Sequence, residues 1–283
     1  MAITTGRAVV LPDGRLLGYA EYGEPWGHPV VSFHGWPGSR VQSAWYASAA
    51  SELGLRLIAP ERPGIGLSSR SSTPTLHQHV ADVAYLLDRL NIDRFGVLGV
   101  SGGGPYALTS AAWLGDRVST VALVAALSAG SMGVTPLIQV TGWLGLRVPW
   151  LFAPGFDTAA RVATWNGPLA VRLAFSTLPP SDRAVVDDPF VRDVAVRDVR
   201  EAFRQGGRGM RGDAVSLLTA PDFSLGEIRN PVHLWHGDAD TIVPIAIGRA
   251  TAVALPNCSA TFLPGEGHHL GIPHVREILE VFA

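Results

Sequence analysis

Short apolar segments alternate with helix-like segments over most of this 283-residue chain. The apolar segments lie at residues 29–33, 55–59, 95–100 and 118–127. The helix-like segments that alternate with them lie at residues 43–53, 76–90 and 105–114. Strands without a polar face must be buried on both sides, as in a parallel sheet covered by helices on both faces. The pattern therefore predicts an α/β fold with a mostly parallel, doubly wound sheet joined by right-handed crossovers.

The two ends of the chain extend this pattern. Residues 7–11 and 16–22 flank the turn sequence Pro-Asp-Gly at residues 12–14, which is typical of a β-hairpin. Near the other end, strand-like segments return, and helix-like segments follow each of them. The strands are predicted at residues 232–236 and 260–263, and the helices at residues 245–255 and 274–282. Antiparallel strands should thus open a sheet that continues to the last helix.

Between residues 128 and 220 the alternation stops, and helix-like pieces are broken by several prolines. We expect a helical cap in this interval, inserted into an α/β core formed by residues 1–127 and 221–283. Aromatic side chains of the cap should mostly pack within it, and some should line a pocket. They are Trp143, Trp150, Phe152, Phe156, Trp165, Phe175, Phe190 and Phe203.

Composition restricts the partners. Hydrophobic residues make up 47% of the chain and charged residues 16%, which is enough for a large core. The net charge of −2, with both signs mixed along the chain, gives no basic surface for nucleic acid. The apolar stretch at residues 134–156 is interrupted by glycines, prolines and polar residues, so we expect no membrane span. A small-molecule substrate is the expected partner, and the oligomeric state stays open.

The sequence also bears on location and cofactors. The first 15 residues lack a basic segment followed by an apolar one, so we expect a cytoplasmic protein. The only cysteine, Cys258, excludes an internal disulfide and a cluster of thiolate metal ligands. His77 and His79 lack a third ligand nearby in the sequence, and zinc needs three or four. We therefore expect neither a metal nor another cofactor.

The pentapeptide Gly-Val-Ser-Gly-Gly at residues 99–103 contains the pattern Gly-X-Ser-X-Gly. In a chain this rich in glycine the pattern arises by chance in roughly one sequence in four, so its context decides its value. Here a predicted strand precedes it and a helix follows, as in a nucleophile elbow. Ser101 is the candidate nucleophile, and Gly99 and Gly103 would leave room for the tight turn.

Two backbone N–H groups are candidates for an oxyanion hole. Gly102 follows the serine at the amino end of the predicted helix, where free amides stabilise negative charge. Trp36 lies in the sequence His-Gly-Trp-Pro-Gly at residues 34–38, which follows an earlier strand. His34 and Gly35 would support this loop. A plain glycine-proline turn is the alternative explanation of these residues.

A serine hydroxyl needs a base and an orienting acid. Asp238 and Asp240 follow the predicted strand at residues 232–236, and His268 and His269 follow the strand at residues 260–263. Serine, aspartate, histidine is the order of such a triad in this class of sheet. The residues alone do not decide which of the two aspartates is the acid or which of the two histidines is the base.

Together these segments resemble the α/β-hydrolase superfamily, and they span the chain from the hairpin to the last helix. The family pattern His-Gly-X-X-Asp-X-X-Val-Pro matches residues 236–244 and implies Asp240 as the acid, with Asp238 as a turn residue. The base follows Gly-X-Gly in the family, which implies His268 rather than His269. Residues 61–68 resemble the architectural turn Asp-Arg-Pro-Gly-X-Gly-X-Ser, with Glu61 in place of aspartate and Arg62 as a loop brace.

The resemblance implies a serine hydrolase, since relatives such as epoxide hydrolases and haloalkane dehalogenases carry aspartate at the elbow. We expect cleavage of a carboxylic ester, or a similar acyl bond, of a hydrophobic small molecule through an acyl-enzyme. The alternatives with the same triad are a proline iminopeptidase, a carbon–carbon bond hydrolase and a perhydrolase. A non-catalytic receptor for small molecules is a fourth alternative.

Overall fold

A computed structural model describes residues 2–72, 74–128 and 149–283. Its sheet has eight strands in the spatial order β1-β2-β4-β3-β5-β6-β7-β8. The strands are β1 (Ala2–Val10), β2 (Leu16–Gly23), β3 (His28–Phe33), β4 (Leu55–Pro60), β5 (Phe95–Val100), β6 (Val118–Val124), β7 (Val232–Gly237) and β8 (Cys258–Leu263). The predicted α/β fold with a mostly parallel sheet is confirmed.

Ten α-helices are described in these parts of the chain. They are α1 (Ala47–Glu52), α2 (Leu76–Arg89), α3 (Gly104–Leu114), α4 (Pro149–Trp165), α5 (Gly167–Phe175), α6 (Pro180–Val185), α7 (Pro189–Ala202), α8 (Gly207–Leu218), α9 (Ile245–Ala254) and α10 (Val275–Glu280). The segment Arg40–Tyr46 forms a 3₁₀ helix before α1. The single helix predicted for residues 43–53 is therefore wrong at residues 43–46, which belong to the 3₁₀ helix.

Only the first strands are antiparallel. β1 pairs with β2 and β2 with β4 in antiparallel register, whereas the pairs from β3 to β8 are parallel. In the connection between β1 and β2, Gly14 has a φ of 86°, a conformation that glycine adopts without strain. The N–H of Leu11 donates to the carbonyl of Arg15 at 2.8 Å and closes this turn. The hairpin prediction is confirmed.

Two apolar clusters cover the two faces of the sheet. One contains Leu86 of α2 and Tyr106 of α3, and the other contains Ala50 of α1 and Ile278 of α10. Each of these four side chains is at most 2% exposed. Burial on both faces explains why the central strands carry apolar residues at nearly every position. Because helices cover both faces, a functional site is expected at the edge formed by the carboxyl ends of the parallel strands.

Helices α4 to α8, which we call the intervening helices, lie between β6 and β7 in the chain. α7 packs against the Arg40–Tyr46 segment of the core, and Trp45 donates from its indole N–H to the carbonyl of Val191 at 3.1 Å. No helix within the described ranges is long and apolar enough to span a bilayer.

The aromatic side chains predicted for the cap have different environments. Phe203 is buried, and Phe156 packs edge-on against Trp36 with ring centres 6.0 Å apart. Trp165 and Phe190 are 77% and 53% exposed, so they do not belong to the packed core, but Phe190 lines a surface pocket beside Arg40 and Val41. Trp143 and the side chains of Trp150 and Phe152 lie outside the described part.

Candidate active site

The turn after β5 places Ser101 at the carboxyl edge of the sheet. Its φ of 50° is unusual for a residue with a side chain, and such strain is characteristic of a nucleophile elbow. A Cβ atom on Gly103 would lie 2.1 Å from the carbonyl oxygen of Phe33, and one on Gly99 would lie 2.7 Å from the Ala107 Cβ. Both positions therefore require glycine for this turn to form.

Ser101, His268 and Asp240 form a continuous line of hydrogen bonds. His268 Nε2 lies 2.9 Å from Ser101 Oγ, and His268 Nδ1 lies 2.8 Å from Asp240 Oδ2. All three residues are buried, with at most 8% of their surface exposed. The geometry matches a nucleophile, a base and an acid that orients the base. Three residues separated by 139 and 28 positions in the sequence thus meet at one edge of the sheet, because each follows a different parallel strand.

Asp240 is held in its ionised form. Its Oδ1 accepts the N–H groups of Ile242 and Val243, both at 2.8 Å, and His236 Nε2 lies 3.5 Å from Oδ2. Burial alone raises the pKa of Asp240, but the hydrogen bonds from His236, His268 and the Val243 N–H outweigh it and keep this pKa well below the usual range. The carboxylate can therefore stabilise a positive charge on His268.

The alternative acid and base lie elsewhere. Asp238 is exposed, and its Oδ1 accepts the N–H of Gly265 at 2.7 Å, which is a turn contact. His269 Nδ1 lies 3.1 Å from an oxygen of Asp182 and not next to Ser101. The geometry thus favours Asp240 and His268 over their sequence neighbours.

The two candidate oxyanion donors lie side by side. The Cβ position of Gly102 is 3.2 Å from the backbone nitrogen of Trp36, and that of Gly35 is 3.4 Å from the Ser101 Cβ. The Trp36 N–H has no acceptor in the described ranges. Donors next to the nucleophile, without a partner of their own, are what a developing oxyanion requires.

The sequence of this chain is similar to those of known proteins with this fold. The family model described as alpha/beta hydrolase fold matches residues 28–274. The chain belongs to the α/β hydrolase family. It is 26% identical over 274 residues to a 2-hydroxymuconate semialdehyde hydrolase of Pseudomonas putida, covering 94% of this chain and 89% of that protein. It is 28% identical over 268 residues to a non-heme haloperoxidase of Rhodococcus erythropolis, covering 92% of each.

Among solved structures, a bromoperoxidase from Bacillus anthracis superimposes on this α/β hydrolase with a TM-score of 0.71. The match covers 98% of this chain and 99% of that one at 23% identity, so it supports the fold alone. Within the described ranges, no group of three or more His, Cys, Asp or Glu side chains is arranged to hold a metal ion.

Arg62 braces the loop that carries Trp36, one of the two candidate oxyanion donors. Its guanidinium is fully buried and donates to the carbonyl oxygens of His34 and Gly35 at 2.6 and 2.8 Å. The N–H of Gly35 donates to the Gln42 side chain at 2.6 Å. Burial, and then the positive charge of Arg62, keep the pKa of His34 well below its ordinary value. His34 is thus neutral, and the hydrogen bonds to His34 and Gly35 hold the loop that carries Trp36 in place.

Three buried aspartates of the intervening helices complete these supports, and none of the three is predicted from the sequence. Asp182 of α6 accepts the N–H groups of His268 and His269 at 3.0 and 2.6 Å. Asp213 of α8 accepts from Arg62 Nε at 2.7 Å. Asp198 of α7 accepts from Ser39. No local motif marks these residues, because each acts on a loop more than 80 positions away.

A cavity of about 180 Å³ opens next to Ser101 and His268. The core contributes Trp36, Trp45 and Ile272 to its lining. The intervening helices and the turn between α5 and α6 contribute Val171, Ala174, Phe175, Leu178 and Val199. Phe175 also packs against His269, with ring centres 4.6 Å apart. The cavity is thus mainly apolar and lies between the intervening helices and the sheet edge.

Proposed function

We propose that this chain is a serine hydrolase that cleaves a carboxylic ester, or a similar acyl bond, of a hydrophobic small molecule. One observation carries the proposal: the hydrogen-bonded line from Asp240 through His268 ends at Ser101, which lines an apolar cavity. The intervening helices would act as a cap that closes this cavity. Membership of a family of hydrolases supports a catalytic protein over a non-catalytic receptor.

The proposed reaction has two steps. In the first, His268 takes the proton of Ser101 as the oxygen attacks the substrate carbonyl, and the N–H groups of Trp36 and Gly102 stabilise the oxyanion. The protonated His268, paired with Asp240, then passes its proton to the leaving alcohol, and an acyl-serine remains. In the second, His268 takes a proton from water as the water attacks the acyl group. The acid is released, and Ser101 regains its proton.

Reaction with a fluorophosphonate probe tests this proposal. The activated serine should form a stoichiometric adduct that mass spectrometry locates on Ser101, because phosphylation requires the same base and oxyanion donors as acylation. Ser101→Ala should not react, whereas Ser110→Ala, which alters a buried serine of α3, should react like the wild type. An unmodified wild-type protein, or an adduct on another residue, would contradict the proposal.

Carbon–carbon bond hydrolysis is the second candidate, and the similarity to the 2-hydroxymuconate semialdehyde hydrolase over 94% of this chain favours it. Both reactions use the same triad, so probe labelling does not distinguish them. Turnover of a β-diketone and of an ester with the same acyl group does. A higher kcat/KM for the diketone would replace the ester proposal with this one.

A further inference from the structure

Asp198 is the one acidic side chain of the intervening helices that lines the cavity next to Ser101 within the described ranges. It is only 5% exposed and lies on α7, among Ala195, Val199 and other apolar lining residues. A carboxyl group in an apolar cavity is costly unless its oxygens find hydrogen-bond donors. The hydrogen-bond partners of the Asp198 oxygens therefore indicate which polar group of a bound molecule the cavity can accommodate.

The two oxygens of Asp198 differ in their contacts. Oδ1 accepts both the N–H and the hydroxyl of Ser39, at 2.8 and 2.6 Å. Oδ2 has no hydrogen-bond partner in the described ranges, and it is not among their fully enclosed unpaired atoms. Ser39 thus fixes the carboxyl group in one orientation, and the second oxygen remains available to a molecule in the cavity.

We propose that Asp198 is a specificity-determining residue whose Oδ2 accepts a hydrogen bond from an uncharged hydroxyl group of the substrate. This inference rests on the proposed ester hydrolysis at Ser101. The substrate class is accordingly a small hydroxylated ester, with an apolar remainder that matches the other lining residues.

The surroundings disfavour charged ligands. No arginine lines the cavity within the described ranges, so a substrate carboxylate would meet Asp198 without a cation to bind it. Burial raises the pKa of Asp198 to about 7, against the hydrogen bonds from Ser39. Binding of a substrate ammonium group would require both the ammonium and the Asp198 carboxylate to lose their hydration in an apolar cavity. Binding of a hydroxyl group requires this of the carboxylate at most.

Matched esters test the proposal. On the acyl side, p-nitrophenyl butanoate is compared with its α-hydroxy, β-hydroxy and β-amino analogues and with p-nitrophenyl hemisuccinate. On the alcohol side, ethyl butanoate is compared with ethylene glycol monobutanoate. In the wild type at least one hydroxylated ester should exceed its parent in kcat/KM by about tenfold, the effect of one hydrogen bond to a charged group. The hemisuccinate should be the poorest substrate of the acyl series.

Asp198→Asn should change these ratios. Ser39 donates twice to one side-chain oxygen, so the amide NH₂ would take the position of Oδ2 and present donors in place of an acceptor. The preference for the hydroxylated ester should fall about fivefold or more, and the hemisuccinate should gain about tenfold relative to butanoate. Asp193→Asn, at a 65% exposed side chain of the same helix, should leave every ratio as in the wild type.

Each outcome has a distinct meaning. If no ester is hydrolysed and Ser101 is not labelled, the proposed function fails, and this inference fails with it. If butanoate esters are hydrolysed but no hydroxyl on either side improves kcat/KM, or if the ratios are equal in wild type and Asp198→Asn, only the inference is overturned. Preference for the β-amino ester would also overturn it in favour of ammonium recognition. If Asp198→Asn does not fold, the kcat/KM ratios of hydroxylated to parent esters in the wild type alone support or overturn the inference.

Discussion

Ser101→Ala should lower kcat for ester hydrolysis by about 10⁶-fold, the loss found when a triad nucleophile is removed. The reason is that in the proposed mechanism His268 and Asp240 act only through the Ser101 oxygen, so they cannot compensate for its loss. Residual catalysis of about 10³-fold over water should remain, because the Trp36 and Gly102 donors are unchanged. Single-turnover and steady-state kinetics on p-nitrophenyl butanoate measure both values.

Ser110→Ala is the matched control for this prediction. Ser110 is a buried serine of α3 whose hydroxyl donates to the carbonyl of Tyr106 at 2.8 Å, away from the cavity lining. Its replacement should leave kcat/KM within about threefold of the wild type, since a side chain-to-backbone hydrogen bond within one helix contributes little to catalysis. If the Ser101→Ala protein is folded and retains more than one hundredth of wild-type activity, Ser101 is not the nucleophile.

Asp240→Asn should lower kcat by about 10⁴-fold, with a small change in KM. The two N–H groups of Ile242 and Val243 hold one side-chain oxygen, so the amide NH₂ of asparagine would point at His268 Nδ1. Nδ1 would then accept a hydrogen bond, and the ring proton would move to Nε2. In that tautomer His268 cannot take the proton of Ser101. Steady-state kinetics and the pH dependence of kcat/KM measure this effect.

Asp238→Asn provides the control on the same loop. Asp238 is exposed and caps the turn at Gly265, so its replacement should cost less than about threefold in kcat, the size expected when a surface turn contact is altered. A large loss in Asp238→Asn together with normal activity in Asp240→Asn would reverse the assignment of the acid. Thermal unfolding of both variants shows whether either effect arises from misfolding.

The supports of the site come mostly from the intervening helices. Asp182, Asp198 and Asp213 are each buried, and each accepts hydrogen bonds from a core loop at the site. A buried ion pair or hydrogen-bonded carboxylate is strongly destabilising when one partner is removed. The loops that carry His268, Trp36 and Arg62 therefore depend on helices that form no part of the sheet. This arrangement couples the position of the helices to the geometry of the candidate site.

Local sequence predicted the elements that depend on local physics. Apolar strands and alternating helices follow from burial on both faces of a sheet, and the Gly-X-Ser-X-Gly turn follows from the space available at positions 99 and 103. The hairpin follows from its Pro-Asp-Gly turn. The 3₁₀ segment Arg40–Tyr46 was not predicted, since composition does not distinguish its hydrogen bonding from that of an α-helix.

By itself, the sequence determined the fold family, the candidate nucleophile and the order of the candidate triad, because strand–turn–helix patterns and the family motifs are contiguous in the chain. The family motifs also implied Asp240 rather than Asp238 and His268 rather than His269. The hydrogen bonds that support these two choices come only from the tertiary structure, since they depend on which atoms meet across the sheet edge. The tertiary structure alone also brought Asp198 into the cavity and placed Trp165 and Phe190 at the surface. These outcomes depend on how distant helices pack, and no short segment of sequence contains that information.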